Sequence, residues 1–370
     1  MLCVLGAQNA GAQASLPVAS APEPAPSPPT LNGDAGPDDE GSSTPSLSWR
    51  ARIITGFQYD RSRPSGAQTR AGEKEYGFVV RQIRLGAEGE LAEQFRFNVS
   101  FDLSDALSTD TGTSYSSPPY LRTAVFEYRP DRSFRLTVGR FKRPFSKLEL
   151  TSAADLPVLN RGLWNGLAIE DNQWGDRAVG AAVSGRLKLA KLRWYLSLTN
   201  PSWSSQLAVQ GVDVLGRVQS SPIKPLTIGV NGGYKYSEIG LDDTEHSFAV
   251  GGDVGVELGE ARLFVEGAYA DLPFETGRPR GFGFVGSIDY RIPLTANWAL
   301  LPVVFAELAD ANASVSQTES LRLALGVNVL GYSGFRIMPE FALTRPVGDA
   351  SAANPWLSEE TYRLISSLVL

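Results

Sequence analysis

A strict two-residue alternation of apolar and polar side chains, repeated from Leu47 to the end of the chain, constrains this sequence more than any other feature. Successive side chains of a strand point to opposite faces, so alternation of this kind describes a strand whose two faces meet different surroundings. In QFRFNVSFDLSD, Phe95, Phe97, Val99, Phe101 and Leu103 share one face, and Arg96, Asn98, Ser100, Asp102 and Ser104 share the other. Leu192, Trp194, Leu196 and Leu198 alternate with Arg193, Tyr195, Ser197 and Thr199. Leu321, Leu323, Leu325, Val327 and Val329 alternate with Arg322 and Asn328, and Phe335, Ile337, Phe341 and Leu343 with Arg336, Glu340 and Thr344. About sixteen such segments of roughly ten residues can be drawn, the length a tilted strand needs to cross a bilayer. Turn-forming stretches such as SSPIKP, GYSG and LGEA separate them, and no helical period of useful length interrupts the rhythm.

Two architectures alternate in this way. A soluble sandwich or propeller buries its apolar face, but its strands average about 5–6 residues. Here the segments are longer, and the polar face carries a charge near mid-strand again and again. Arginine is costly in hydrocarbon and comfortable in a water-filled lumen, so the pattern predicts an all-β fold, a transmembrane antiparallel β-barrel of about sixteen strands. Trp49, Tyr59, Tyr76, Tyr128, Trp194, Tyr236, Tyr290, Trp298 and Tyr362 fall near segment ends, where interfacial aromatic girdles would put them.

The bulk properties agree with a barrel. Mean hydropathy is −0.12, which a half-polar, half-apolar wall produces, and no run approaches the ~18 apolar residues of a membrane helix. A single cysteine, Cys3, excludes an internal disulfide framework and a cysteine metal cluster. The start, MLCVLGAQNAGAQA, has a short apolar run and an Ala12-Gln13-Ala14 cleavage pattern, so residues 1–14 are expected to be the remnant of a signal peptide. Residues 15–47, rich in Pro, Ala, Ser, Gly and Asp, are expected to form a disordered tail, with the barrel occupying 48–370. Most of the net charge of −6 belongs to residues 1–49, which hold Glu23, Asp34, Asp38, Asp39 and Glu40 and no Lys or Arg. The body is nearly neutral, which gives no support to nucleic-acid binding; the expected surroundings are outer-membrane lipid.

One block breaks the rhythm, VGRFKRPFSKLELTSAADLPVLNRGLWNGLAIEDNQWGDRAVGAAVSGRL at 138–187. Gly139, Phe141, Lys142, Pro144 and Phe145 form a strand end, Thr151, Ser152, Asp155, Leu156 and Arg161 follow, and Asp176 and Arg177 open the next strand. With RQIRLGAEGEL, FRFNVSFDLSD and YLRTAVFEYRP before it, the block resembles the phosphate-selective porin O/P family of Gram-negative outer membranes. The resemblance implies a sixteen-stranded barrel, usually a homotrimer, with passive diffusion of small hydrophilic solutes or inorganic anions such as phosphate. It also implies long loops folded inward, and the segment 141–174 is expected to be such a constriction loop, because Pro144 and Pro157 cannot donate to a sheet. Gly139, Phe141, Pro144 and Phe145 are its structural motif residues. No enzyme activity, metal or cofactor is implied.

An anion path needs cations along it, and arginine matches oxyanion geometry. The strand phases point Arg52, Arg84, Arg96, Arg129, Arg135, Arg193, Arg217, Arg262, Arg291, Arg322, Arg336, Arg363 and Lys235 into the lumen. They also point inward Asp60, Glu88, Asp102, Glu127, Asp213, Asp253, Glu257, Glu266, Asp289 and Glu340. In the loop, Lys142, Arg143, Lys147 and Arg161 face Glu149, Asp155, Glu170 and Asp171 in number. The candidate pore-lining cations are Arg96, Arg135, Lys142, Arg143, Lys147, Arg161, Arg177 and Arg193. Charge balance favours ion pairs that keep the lumen wet and rigid, so a channel stands on firmer ground than phosphate selectivity. The alternatives are a non-conducting structural or adhesive barrel and an outer-membrane hydrolase. For the latter the only histidine, His246, stands beside Asp242, Asp243 and Glu245 with no serine motif aimed at it; it is expected on an exposed loop, and the three acids would hold Ca²⁺ only loosely.

Overall fold

In a computed structural model the described residues are 45–63, 74–104, 121–131, 133–188, 191–201, 210–239, 243–273, 275, 277–316, 318–347 and 358–369. The expected signal-peptide remnant and nearly all of the expected tail lie outside them. The strands are β1 (Ser46–Arg63), β2 (Lys74–Ala92), β3 (Phe95–Asp102), β4 (Leu121–Asp131), β5 (Phe134–Lys142), β6 (Arg177–Leu187), β7 (Leu192–Thr199) and β8 (Gln210–Ile223). They continue with β9 (Leu226–Ile239), β10 (Asp243–Leu258), β11 (Ala261–Asp271), β12 (Arg280–Tyr290), β13 (Ile292–Pro293), β14 (Ala299–Asp310), β15 (Glu319–Leu330), β16 (Arg336–Pro346) and β17 (Ser358–Val369). Strand β1 thus starts at Ser46, slightly before the expected boundary.

Every strand pairs antiparallel with its sequence neighbours, and β1 closes the sheet on β17 through the register Arg52↔Val369 to Arg63↔Ser358. β12 and β13 both pair with β14, so they form one strand broken at Arg291, and the closed barrel has sixteen strand positions. Closure removes the sheet edges that hydrocarbon could not satisfy. Arg291 lies in that break, exposed, rather than on the inner wall.

The alternation fixes the two faces. On β12 the residues Gly281, Gly283, Val285, Ser287 and Asp289 are turned in, while Phe284 and Ile288 are exposed to the outside. Two aromatic levels ring the outer face. Trp49, Tyr128, Trp194, Tyr290 and Trp298 stand near one end of the strands, and Tyr59, Tyr76, Tyr236 and Tyr362 near the other. From Trp49 to Tyr59 at about 3.3 Å per residue and a tilt of about 40°, the levels are roughly 25 Å apart, the height of an outer-membrane apolar band. One end carries short turns, such as Lys224-Pro225, and the other carries most of the long segments, such as 143–176. Short turns mark the periplasmic end and long loops the outside.

Candidate functional site

The long segment between β5 and β6 runs 143–176, since β5 continues to Lys142 and β6 resumes at Arg177. It leaves the sheet at Pro144, which has no N–H to pair. Ser146, in the left-handed region at φ 65°, then caps a single helical turn, α1 (Lys147–Leu150), its Oγ accepting from the Glu149 N–H at 3.0 Å. A π-helical turn spans Asn165–Asp171. These short turns escape a search for helical periodicity.

This segment lies against the inner wall. Phe145, Trp164, Leu167, Ile169 and Trp174 pack with Leu215, Ala249, Ala268, Ala270 and Ala309 from β8, β10, β11 and β14. Leu148, Leu156 and Val158 pack with Val285, Val303, Phe305, Ala324 and Ala342, and Leu159 reaches Ile54, Met338 and Ile365 near the seam of β1 with β17. Each large side chain so buried stabilises the docked segment by roughly 1.5–3 kcal/mol. Trp164 fits a notch at Gly283: a Cβ there would lie 2.2 Å from its Cγ. Of the motif residues, Gly139 has φ +126° and its absent Cβ would meet the Ala124 carbonyl at 2.0 Å, so only glycine fits. Phe141, Pro144 and Phe145 are buried, with Phe145 6.1 Å from the Trp174 ring.

Wall side chains satisfy the segment's backbone. Glu307 accepts from the Leu163 and Trp164 N–H groups, both at 2.7 Å, Glu266 from Leu148 N–H at 2.9 Å and Glu340 from Leu159 N–H at 2.7 Å. Arg336 donates to the Ala154 carbonyl at 2.7 Å and the Leu156 carbonyl at 2.5 Å, Asn328 to Pro157 at 2.9 Å, and Arg52 to Ser152 Oγ at 3.0 Å. A buried backbone must find such partners. Several lumen charges named from the strand phases are therefore anchors for the loop.

The candidate cations separate into groups. Arg143 is fully buried, bonded through Nη1 to Asp213 at 2.7 Å and through Nε to the Asp176 carbonyl at 2.9 Å. Nearby, Lys235 donates to the Asn172 carbonyl at 2.8 Å and lies 4.6 Å from the Trp174 ring. Lys142 Nζ and Arg161 Nε flank Glu149 at 2.7 and 3.2 Å. Burial pushes the Glu149 carboxyl up, but those two cations outweigh it and hold it below the ordinary value. Arg96 pairs with Glu90, and Arg135 with Glu127 at 3.5 Å, both near the short-turn end. Lys147 opens α1 close to Arg217, Asp253, Arg193 and Glu266, where burial first and Arg217 next lower its pKa. Arg193 is on β7, opposite Gln219 of β8. Arg177 Nε bonds Thr123 Oγ1 at 3.4 Å, with Nη1 3.9 Å from Asp176.

Arg177 belongs to a strip the alternation only partly marks: Arg52, Arg84, Arg122 and Arg177, from β1, β2, β4 and β6, within electrostatic reach of one another. Asp102 lies 3.4 Å from Arg84 Nη2 and 4.0 Å from Arg122 Nε. Arg122 is the extra residue of a β-bulge, because Ser100 pairs with Thr123 but Phe101 with Leu121. A second bulge adds Arg81 on β2, where Ile54 pairs with Gln82 and Thr55 with Val80, and Arg81 bonds Asn160 of the loop. Bulges re-aim side chains, and here each brings an arginine inward. The sequence signal is a pair of adjacent polar residues, Arg81-Gln82 and Arg122-Thr123, breaking the alternation.

His246 is within β10 rather than on a loop. Its ring stacks on Tyr234 and bonds the Tyr234 hydroxyl at 2.7 Å, on the outer face. Glu245 is paired with Arg278, and no metal-holding cluster occurs among the described residues.

A closed barrel with apolar exterior, charged interior and an inserted loop defines the porin class of outer-membrane channel. Residues 52–207 match the model of the phosphate-selective porin O and P family, so that part of the chain is similar to it. That match and the fold of the chain are those of a Gram-negative outer-membrane porin for small solutes. Its fold is similar to that of an anion-selective porin from Comamonas acidovorans, with TM-score 0.64 and 13% identity over 88% of this chain and 100% of that one. It is also similar to the outer membrane channel DcaP of Acinetobacter baumannii (0.60, 9%, 88% and 97%) and to OmpT of Vibrio cholerae in its trimer form (0.52, 12%, 88% and 99%). No curated protein matches the sequence.

Proposed function

We propose that the channel prefers anions of the size of inorganic phosphate, and that 143–176 is its constriction loop. The observation that carries this is the arginine strip. Arg84 and Arg122 stay 20% and 38% exposed and share one carboxylate, Asp102, so the strip keeps positive charge that water or a passing anion can reach. In the loop, Lys142 and Arg161 both flank Glu149. Fixed guanidinium groups replace the hydration an anion sheds on entering a narrow path. The near balance of acids and bases in sequence does not oppose this, because the signs are segregated: Glu266, Glu307 and Glu340 stand on β11, β14 and β16 against the loop, and the strip is on β1, β2, β4 and β6.

Phosphate added to chloride should lower the single-channel current in planar bilayers by occupying the strip, and Arg122→Gln should weaken that competition. Chloride current that phosphate leaves untouched would contradict the reading.

The assembly fits a homotrimer. Phe57–Phe78 and Tyr59–Tyr362 form aromatic pairs on the outer face on either side of β1, and Phe95–Phe126 pairs β3 with β4, and OmpT of Vibrio cholerae has been solved as a trimer. Native mass measurement of the purified protein tests this.

A further inference from the structure

Toward the long-loop end, a cavity of about 390 Å³ opens between the inserted segment and the wall of β15–β17. Its charges are divided by element. Asp171, from the π-helical turn, and Glu275, from the β11–β12 connection, stand on one side, and Arg322 of β15 and Arg363 of β17 on the other. Glu359 also lines the wall side, where it accepts from the Thr361 hydroxyl at 2.8 Å. The volume is within the range of small-molecule sites.

The loop-side acids have no cationic partner among the described residues, and the wall arginines share theirs. The carboxylates of Asp171 and Glu275 have no hydrogen bond or ion pair among the described residues, and Asp171 is raised by burial first and then by the Glu275 charge. Opposite them, Arg322 is 5% exposed and its side chain makes no hydrogen bond among the described residues; its carboxylate contact is Glu340 at 3.9 Å. Arg363 is 3.7 Å from the same Glu340 and 3.9 Å from Asp60, bonds Gln58 through Nε at 3.1 Å, and leaves Nη1 without a hydrogen-bond partner. Glu340 also holds the Leu159 N–H. One carboxylate thus serves two arginines and a backbone amide. A buried guanidinium with unused donors costs free energy unless something else meets it.

We propose that this cavity binds small zwitterions, of the amino-acid or dipeptide class, with the ammonium on Asp171 and Glu275 and the carboxylate on Arg322 and Arg363. An inorganic anion satisfies only the arginine side and a simple cation only the acidic side. A molecule carrying both charges satisfies both at once. The site is separate from the Arg52–Arg84–Arg122–Arg177 strip, so a channel without anion preference would still show it.

The probe is diglycine, added on the long-loop side of a bilayer holding one channel, with N-acetyl-diglycine and diglycinamide as forms lacking one charge each. Diglycine is expected to interrupt the current at the lowest concentration, each capped form needing roughly fivefold more, the value of one partly exposed ion pair. Asp171→Asn should abolish the advantage over the N-acetyl form, and Arg322→Gln the advantage over the amide. Equal interruption by all three compounds on the unmodified protein overturns the proposal, as does an unchanged preference in Asp171→Asn. Asp171 is exposed and unpaired, so its substitution should leave folding intact; if Arg322→Gln does not fold, the capped series and Asp171→Asn decide the matter.

Discussion

Glu307→Gln should loosen the inserted loop without unfolding the barrel. Glu307 is 2% exposed, and its two oxygens accept from Leu163 and Trp164 N–H, both at 2.7 Å. Glutamine keeps one acceptor and turns an NH₂ donor toward the other N–H. One hydrogen bond to a charged group is lost, worth about 2 kcal/mol, and the undocked population of the segment around Trp164 should rise roughly thirtyfold. Trp164 still occupies the Gly283 notch and Glu266, Glu340 and Arg336 still hold the rest of the loop, so the excursion should be local. Single-channel recording would show it as added open-channel noise and brief substates. A trace indistinguishable from the unmodified protein would refute the view that wall carboxylates hold the loop in place.

Other outcomes follow from the same contacts. Asp213→Asn takes from the fully buried Arg143 its ion-paired carboxylate, with the cationic Lys235 alongside, at a cost of about 3–5 kcal/mol, so the temperature at which the barrel loses its folded mobility on a detergent gel should fall markedly. Gly283→Leu puts a side chain where Trp164 sits and should displace it, read as a red shift of tryptophan fluorescence. Diglycine interruption should fade on acidification at a pH above the ordinary aspartate value of about 3.9, because Asp171 is raised by burial and Glu275 and loses its charge early. By linkage that raised group favours the folded state most below the unfolded value, an effect lost as pH rises through its folded value. Glu149, held low by Lys142 and Arg161 against burial, acts oppositely: its stabilisation is complete above about 4.3 and is lost only as pH falls through its depressed value. A recording series from neutral to acid pH separates the two.

The barrel was legible because lipid and water impose opposite demands on alternate residues, and QFRFNVSFDLSD or LRLALGVNV meets both without interruption. The loop block was legible as a departure from that rhythm. Less was legible inside. Alternation tells inward from outward but not which inward residue meets a loop, so Arg143 and Arg177 looked alike, although one is an internal brace and the other part of the strip. The clue to the covered half of the wall was in β14, where ALLPVVFAELAD is apolar on both faces. A strand buried on both sides loses its alternation, and Leu301, Val303 and Phe305 face the lumen. Arg81 and Arg122 were missed because each sits at a bulge, where the two-residue period slips by one.

The central claim is that the open path runs beside Arg52, Arg84, Arg122 and Arg177 and therefore favours anions. The reversal potential of the purified channel in a KCl gradient tests it most directly. The account predicts a potential of the sign set by chloride, reduced in Arg84→Gln and Arg122→Gln. A potential of the sign set by potassium, or folded protein that conducts nothing, would contradict it.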